Sequence, residues 1–172
     1  MKRIFTTLFA FMVLMTMIKS NATTVTMHKR PIEITRISSN KEVIQTVHYN
    51  KFIDKANKHN IDPKLLMSIC YVESTFKPNV INKKSGASGM CQLLPRYHKL
   101  DNYLDVNSNI DKASEYLSEL TDLCNGDNYC IINSYNVGYY GYKNKGKKNT
   151  HYYNKVMNYY NNYDFSTVEE ET

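Results

Sequence analysis

The sequence has no tryptophan and only 4 prolines in its 172 residues. It also lacks any Cys-x-x-Cys pair, and its five histidines (His28, His48, His59, His98 and His151) stand singly. Zinc and thiol-redox sites need such spacings, so no metal and no cofactor is expected. No apolar run reaches the roughly 20 residues that span a bilayer. There is no internal repeat, and no stretch alternates for long enough to suggest a strand-rich architecture. No clustered Lys/Arg face is present, which argues against a nucleic-acid partner. What remains is a mainly helical chain with room for one domain and a real core.

The longest apolar run, Ile4 to Ile18, follows Lys2 and Arg3 and precedes Ser20-Asn21-Ala22. Such a pattern is expected of a cleaved export signal over residues 1–22, the chain's one link to a membrane. Its removal takes Lys2, Arg3 and Lys19 but no acidic residue, lowering the formal net charge from +6 to +3. So mild a basic balance suits attraction to an anionic wall polymer. Export also sets the redox state: the 4 cysteines are expected as two disulfides. Cys124 and Cys130 enclose the short polar loop Asn125-Gly126-Asp127-Asn128-Tyr129 and are paired here. That leaves Cys70 and Cys91 for a second bridge, the alternative being two buried free thiols.

The chemistry centres on Glu73. Asp62 and Pro63 read as the cap and first residue of a helix that runs into it. Leu66, Ile69, Cys70 and Glu73 then fall on one stripe, so the carboxylate faces the core. Burial and the carbonyls at the helix end disfavour its charged form, raising its pKa from about 4.3 toward roughly 6 to 7, as a general acid requires. Gly86 and Gly89 bracket a tight turn ahead of Gln92, whose amide carries both a donor and an acceptor and suits a sugar hydroxyl or N-acetyl group.

Glu73-Ser74, Phe76 and Pro78, the run Gly86-Ala87-Ser88-Gly89-Met90-Cys91-Gln92-Leu93-Leu94-Pro95, and Ser134-Tyr135-Asn136-Val137-Gly138 together resemble the soluble lytic transglycosylase branch of the lysozyme superfamily. The resemblance covers roughly residues 49–163. It implies a mainly α, lysozyme-like single domain with a central catalytic helix and a substrate cleft. By the same resemblance Glu73 is catalytic, and Ser74, Gln92, Tyr135, Asn136 and Asn82 shape the sugar site. The Tyr135 hydroxyl is then expected within reach of Glu73 or the sugar. Two positions depart from the family pattern, Cys91 and Leu94, where methionine is common. An extra residue between Glu73 and Gln92 places Asn82 only approximately at the family's hydroxyl-bearing position.

Along the rest of the chain, residues 23–38 read as an extended arm with a short strand at Ile32 to Ile37. Ser39 and Glu42 resemble a capping box opening a helix through Val43, Ile44, Val47, Phe52, Ile53 and Ala56 to about His59. Helices are expected at Ile110 to Leu123, at Tyr129 to Tyr135, and from Thr150, as cap, through Tyr163. Tyr152, Tyr153 and their neighbours on that last helix read as core or rim packing. Tyr139, Tyr140 and Tyr142 are the candidate sugar platforms. Asn144 to Asn149 reads as a mobile loop, and residues 164–172 as a disordered acidic tail, so the domain spans 39–163.

The function implied is a secreted, periplasmic or wall-associated enzyme acting on peptidoglycan glycan strands. It cleaves the β-1,4 bond between N-acetylmuramic acid and N-acetylglucosamine. A hydrolytic muramidase, or a wall-binding assembly factor of a secretion system, is the alternative. Partnership with a secretion, conjugation or phage assembly is consistent with the resemblance. Between Glu73 and Asp101 there is no acidic residue, whereas retaining and inverting glycosidases both need a second carboxylate. If no second carboxylate reaches the site, the resemblance implies attack by the C6 hydroxyl of the muramic acid, and 1,6-anhydromuramic acid is the expected product.

Overall fold

The computed structural model describes residues 41–168. The export signal, the arm with its Ile32–Ile37 strand, and Ser39 lie outside them. In chain order the elements are β1 (Glu42–Gln45), α1 (Tyr49–Lys58), α2 (Pro63–Ser74), α3 (Val106–Leu123), α4 (Asn128–Val137), α5 (Tyr139–Lys145), α6 (Thr150–Asn162) and β2 (Tyr163–Ser166). α2 is the central element. α1, α3 and α6 pack against it, and α4 bridges α3 to α6. The core is the apolar set from these contacts, with Phe52, Leu66, Ile69, Met90, Ile110, Leu117, Ile131 and Val156 wholly or almost wholly buried. Truncating one of the large ones to alanine removes about 2 to 5 kcal/mol.

Three aspartate caps set where α2, α3 and α4 begin. The Asp62 carboxylate accepts from Lys64 N at 2.8 Å, Asp105 from Ser108 N at 2.8 Å, and Asp127 from Tyr129 N and Cys130 N. Each satisfies amides that the first turn leaves unpaired. α3 thus starts at Val106, four residues before the Ile110 expected from its apolar spacing.

Four expectations need correction. Within the helix read from Ser39 onward, Glu42–Gln45 form a strand instead, where the adjacent β-branched pair Val43-Ile44 fits a pleated edge. Only Phe52, Ile53 and Ala56 of that stripe belong to a helix. Of the supposed tail after Tyr163, Asp164 to Ser166 belong to β2, which pairs in parallel with β1, Glu42 against Tyr163 through Gln45 against Ser166. The sheet leaves the domain boundary at 163 without a structural counterpart, since the fold continues through Ser166. α5 occupies Tyr139 to Lys145, so Asn144 and Lys145, the start of what reads as a mobile loop, are the end of a helix. Finally, α6 is capped by Asn149 rather than Thr150, its side chain accepting from Tyr152 N at 3.0 Å.

The C-terminal elements are tied to the start of α2. Tyr160 donates its hydroxyl to Asp62 at 2.6 Å, and Lys64 pairs with Asp164 at 2.8 Å. Phe165 packs edge-on to Phe76, 5.9 Å between ring centroids. The orientation of α6 across α2 is therefore fixed at its far end as well as at its cap.

Candidate active site

α2 ends one residue beyond Glu73, and Thr75 leaves the helix in a left-handed conformation. Glu73 continues the stripe of buried Leu66, Ile69 and Cys70 and is itself half-buried. Burial raises its pKa to about 7, against the Tyr152 hydroxyl and the Lys155 charge, which both favour the ionised form. A carboxyl poised there both gives and takes a proton near neutral pH.

The segment after α2 folds into a compact loop whose backbone pairs with itself. Ser88 and Leu93 exchange both amide bonds at 3.0 Å, and Gly89 N donates to Val80 O at 2.9 Å. Gly89 sits at φ +81, and a Cβ there would come within 2.2 Å of the Tyr103 carbonyl oxygen. No other residue fits that approach. The contact is organised by Asn109, a fully buried side chain on α3. It accepts from Cys91 N at 2.8 Å and donates to Ser88 O at 3.1 Å and Tyr103 O at 2.9 Å. The sequence reading missed this residue, which closes a polar stretch and has no motif around it.

A disulfide joins Cys70 on α2 to Cys91 in the loop, with 4.3 Å between Cα atoms, and a second joins Cys124 to Cys130. Among the described residues no cysteine is free. Ser74 reinforces the first link. It is buried and donates to Met90 O at 2.6 Å, so its hydroxyl hydrogen is held inside the loop rather than presented to a sugar. Asn82 is exposed, and its side chain accepts from Lys84 N and Ser85 N, which makes it a turn former. Gln92 has a left-handed backbone, φ +52. Its amide nitrogen donates to Val80 O at 3.0 Å and Gly89 O at 2.9 Å, which leaves the side-chain oxygen as the atom for a ligand.

Two tyrosines approach Glu73. Tyr152, from α6, donates its hydroxyl to Glu73 Oε1 at 2.6 Å. Burial, and the nearby Glu73 carboxylate, hold its pKa well above the usual range, so it stays a donor. Tyr135, from α4, also feels the Glu73 charge, yet its hydroxyl donates to Cys91 O at 2.9 Å. Of the two partners expected for the Tyr135 hydroxyl, the acid or the sugar, the acid is bonded by Tyr152 instead. The reading of Tyr152 as packing overlooked it because it stands among neighbouring tyrosines. Asn136, exposed at the end of α4, accepts from Asn149 Nδ2 at 2.9 Å. Asn133 Oδ1 accepts from Asn149 N at 2.7 Å. α4 thus holds the capping residue of α6, and with it the helix that carries Tyr152.

Gln92, Tyr135 and Asn136 form part of a groove of about 810 Å³ that continues along Tyr97, Tyr116, Tyr139 and Tyr140. Tyr142 lies off it, its ring 6.5 Å from that of Tyr129. Glu73 is not on the groove wall, and Tyr135 links the two. Among the described residues no group of three His, Cys, Asp or Glu is arranged to hold a metal ion.

Residues 50–158 match the transglycosylase SLT domain. The chain belongs to that family. The X-ray structure of an inactive Glu-to-Gln mutant of lytic transglycosylase Slt from Pseudomonas aeruginosa is similar, with a TM-score of 0.55 and 18% identity. The 70 kDa soluble lytic transglycosylase from Escherichia coli is 19% identical over 63% of this chain, TM-score 0.48. A complex of the 70 kDa enzyme with bulgecin A is 20% identical over 66% of this chain, also at 0.48. The first match covers 69% of this chain but 23% of the Slt chain, and the others 20% and 22% of theirs. This SLT domain therefore corresponds to less than a quarter of those proteins. The first likeness carries the fold, mainly α and lysozyme-like, with α2 at its centre. No helix among the described residues of this SLT-family chain is long and apolar enough to cross a membrane.

Proposed function

We propose that this SLT-family protein is an exported peptidoglycan lytic transglycosylase in which Glu73 acts first as acid and then as base. The observation that carries the reading is the Glu73 carboxyl, raised to about 7 and held by Tyr152 at 2.6 Å. Protonated, it delivers its proton to the glycosidic oxygen between N-acetylmuramic acid and N-acetylglucosamine. The resulting carboxylate then takes the proton of the muramic C6 hydroxyl, which attacks C1 as the N-acetyl group stabilises the developing charge. The bond to the leaving sugar breaks, a 1,6-anhydro ring closes, and no water is consumed. Tyr152 donates to the carboxylate during the second half and keeps it aimed. The side-chain oxygen of Gln92 accepts from a sugar hydroxyl or the acetamido N–H.

Two of the acids that follow Glu73 in the sequence have other engagements. Asp105 caps α3, and Asp111 pairs with Lys58 and His59 at 2.8 and 2.9 Å. That supports a single-carboxylate reaction over one that needs a partner about 5 to 9.5 Å away. Mass spectrometry of a peptidoglycan digest tests it. The expected products are anhydromuropeptides, each lighter by one water than the hydrolytic product. Reducing-end muramic acid as the main product overturns the reading in favour of a hydrolase.

A further inference from the structure

Cys91 is the meeting point of three helices. Its amide donates to Asn109 Oδ1 on α3 at 2.8 Å, its carbonyl accepts from the Tyr135 hydroxyl on α4 at 2.9 Å, and its sulfur is bonded to Cys70 on α2. The residue is wholly buried, so its amide and carbonyl find these partners in place of water. Gln92 follows at once with φ +52, a left-handed conformation that a residue other than glycine seldom takes and that persists only where the surroundings over-determine it. A neighbour tied at three points supplies that over-determination.

Of the three ties, the one to Asn109 reaches furthest. Its amide also donates to Ser88 O at 3.1 Å and Tyr103 O at 2.9 Å, and Ser88 in turn pairs through its backbone with Leu93, on the far side of Gln92. Asn109 thus grips the turn on both sides of Gln92. Along α3, Lys112 and Tyr116 follow it at helical spacing and line the same groove as Gln92. The helix that forms this wall therefore sets the register of the loop against it.

We propose that Asn109 is a positioning residue, which by gripping this turn holds the strained backbone of Gln92 and aims its side-chain oxygen at the sugar. The inference rests on the function proposed above for the sugar, and on hydrogen bonds and backbone geometry for the rest. Released from the grip, Gln92 relaxes to a negative φ, and the swing carries its amide nitrogen away from Val80 O and Gly89 O. Glu73 keeps its own partner on α6, Tyr152, through this change. Strand binding should suffer and proton transfer should not.

The test compares the parent protein with Asn109→Ala and Asn109→Asp. The carboxyl of the second variant keeps its proton when buried, so it retains the bond from Cys91 N and one of the two donations. NMR supplies a readout independent of activity, the intraresidue amide-to-Hα NOE of residue 92, which is strong at positive φ. It should be strong in the parent and weak in Asn109→Ala. On soluble uncross-linked glycan strands, Asn109→Ala is expected to raise KM about 10-fold and Asn109→Asp about 3-fold, in the order of the hydrogen bonds lost. In both, kcat should stay within about 3-fold of the parent and the alkaline limb of the pH–rate profile should not move. Asn109→Asp decides alone where Asn109→Ala does not fold. A strong NOE in Asn109→Ala, parental KM in every variant that folds, or a fall in kcat at unchanged KM, as a merely destabilised protein would give, each overturns the inference. Titration of the same strands into Glu73→Gln, with and without Asn109→Ala, separates the two readings. A parent that binds strands and releases no product removes the proposed activity, and the ratio of the two affinities, expected to be about 10, still decides the role of Asn109. Cleavage by a parent whose KM does not depend on Asn109 removes the positioning role alone.

Discussion

The helices α4 and α6 each bring a tyrosine toward Glu73, and they do so by different routes. α4 carries Tyr135 inside Ser134-Tyr135-Asn136-Val137-Gly138, the distinctive turn of the chain's second half. Its hydroxyl goes to the Cys91 carbonyl at 2.9 Å. α6 carries Tyr152 in a stretch of repeated tyrosine and asparagine with no such signature, and its hydroxyl goes to the carboxyl at 2.6 Å. The distinctive segment braces the loop opposite the acid, and its Asn136, with Asn133 just before it, holds Asn149, the cap of α6. The plain segment then delivers the contact. Local sequence character marks the parts with demanding backbone geometry, and a residue that only has to lie on the correct helical face leaves little trace.

The largest effect expected in this arrangement belongs to the acid between the two helices. Glu73→Gln keeps the side-chain shape and removes the transferable proton, so zymography on purified peptidoglycan should show at least about 10³-fold less activity. The substitution also changes stability with pH in a defined direction. A carboxyl held near 7 in the folded chain and near 4.3 when unfolded keeps its proton longer in the native state. The parent therefore loses stability as pH rises from about 4.5 through about 7, by at most roughly 3.5 kcal/mol. The glutamine variant lacks that loss. Its thermal midpoint should gain on the parent across this window and stay level below it, and a constant difference from pH 4 to 8 would mean the carboxyl titrates normally.

The next effect separates the loop side from the rest of the molecule. Cys70 and Cys91 are 21 residues apart and Cys124 and Cys130 only 6, so loop closure gives about 3 and about 2 kcal/mol respectively. Serine replacements should reproduce that order in denaturant midpoints. Activity should divide them further, because the first bridge ties the helix bearing Glu73 to the loop bearing Gln92. Equal activity losses from the two would show that the loop is held by Asn109 and Ser74 without the bridge.

Tyr152→Phe tests the α6 side directly. Its hydroxyl favours the charged carboxylate, so removing it raises the Glu73 pKa further and leaves the base less well oriented. A 10- to 100-fold fall in kcat is expected, with the alkaline limb of the pH–rate profile moved upward. A fall in rate without any shift of the limb would make Tyr152 a packing residue after all.

These contrasts bear on how much could be read without coordinates. The α2 helix was legible because Asp62-Pro63 and the stripe through Leu66 and Ile69 act within a few residues of one another. The motif loop was legible because Gly89 must approach the Tyr103 backbone, a steric demand that only glycine meets. Asn109 was not, since its three partners come from Ser88, Cys91 and Tyr103, brought to it by tertiary folding alone. The β1–β2 pair was hidden for the same reason: four-residue strands from opposite ends of the domain each look unremarkable until they meet. Ser74 and Asn82 were placed in the sugar site by resemblance, whereas their hydrogen bonds put them to structural use in the loop.

The smallest effect expected is that of Tyr135→Phe, and it completes the comparison of the two helices. The change removes one hydrogen bond to a backbone carbonyl in a half-buried setting, worth about 0.5 to 1.5 kcal/mol, and keeps the ring against Tyr116 at 5.5 Å. The loss leaves the Cys91 carbonyl without that donor and loosens the loop slightly, which should cost less than about 10-fold in kcat/KM. Because the hydroxyl does not bond the carboxyl, the alkaline limb should stay where it is in the parent, in contrast to Tyr152→Phe. The two substitutions touch different partners, but both tyrosines feel the Glu73 carboxylate. Their effects on kcat should therefore combine with a coupling below about 1 kcal/mol. A limb shifted by Tyr135→Phe as far as by Tyr152→Phe, or a coupling of several kcal/mol, would mean that the Tyr135 hydroxyl leaves Cys91 and joins the acid once a strand is bound.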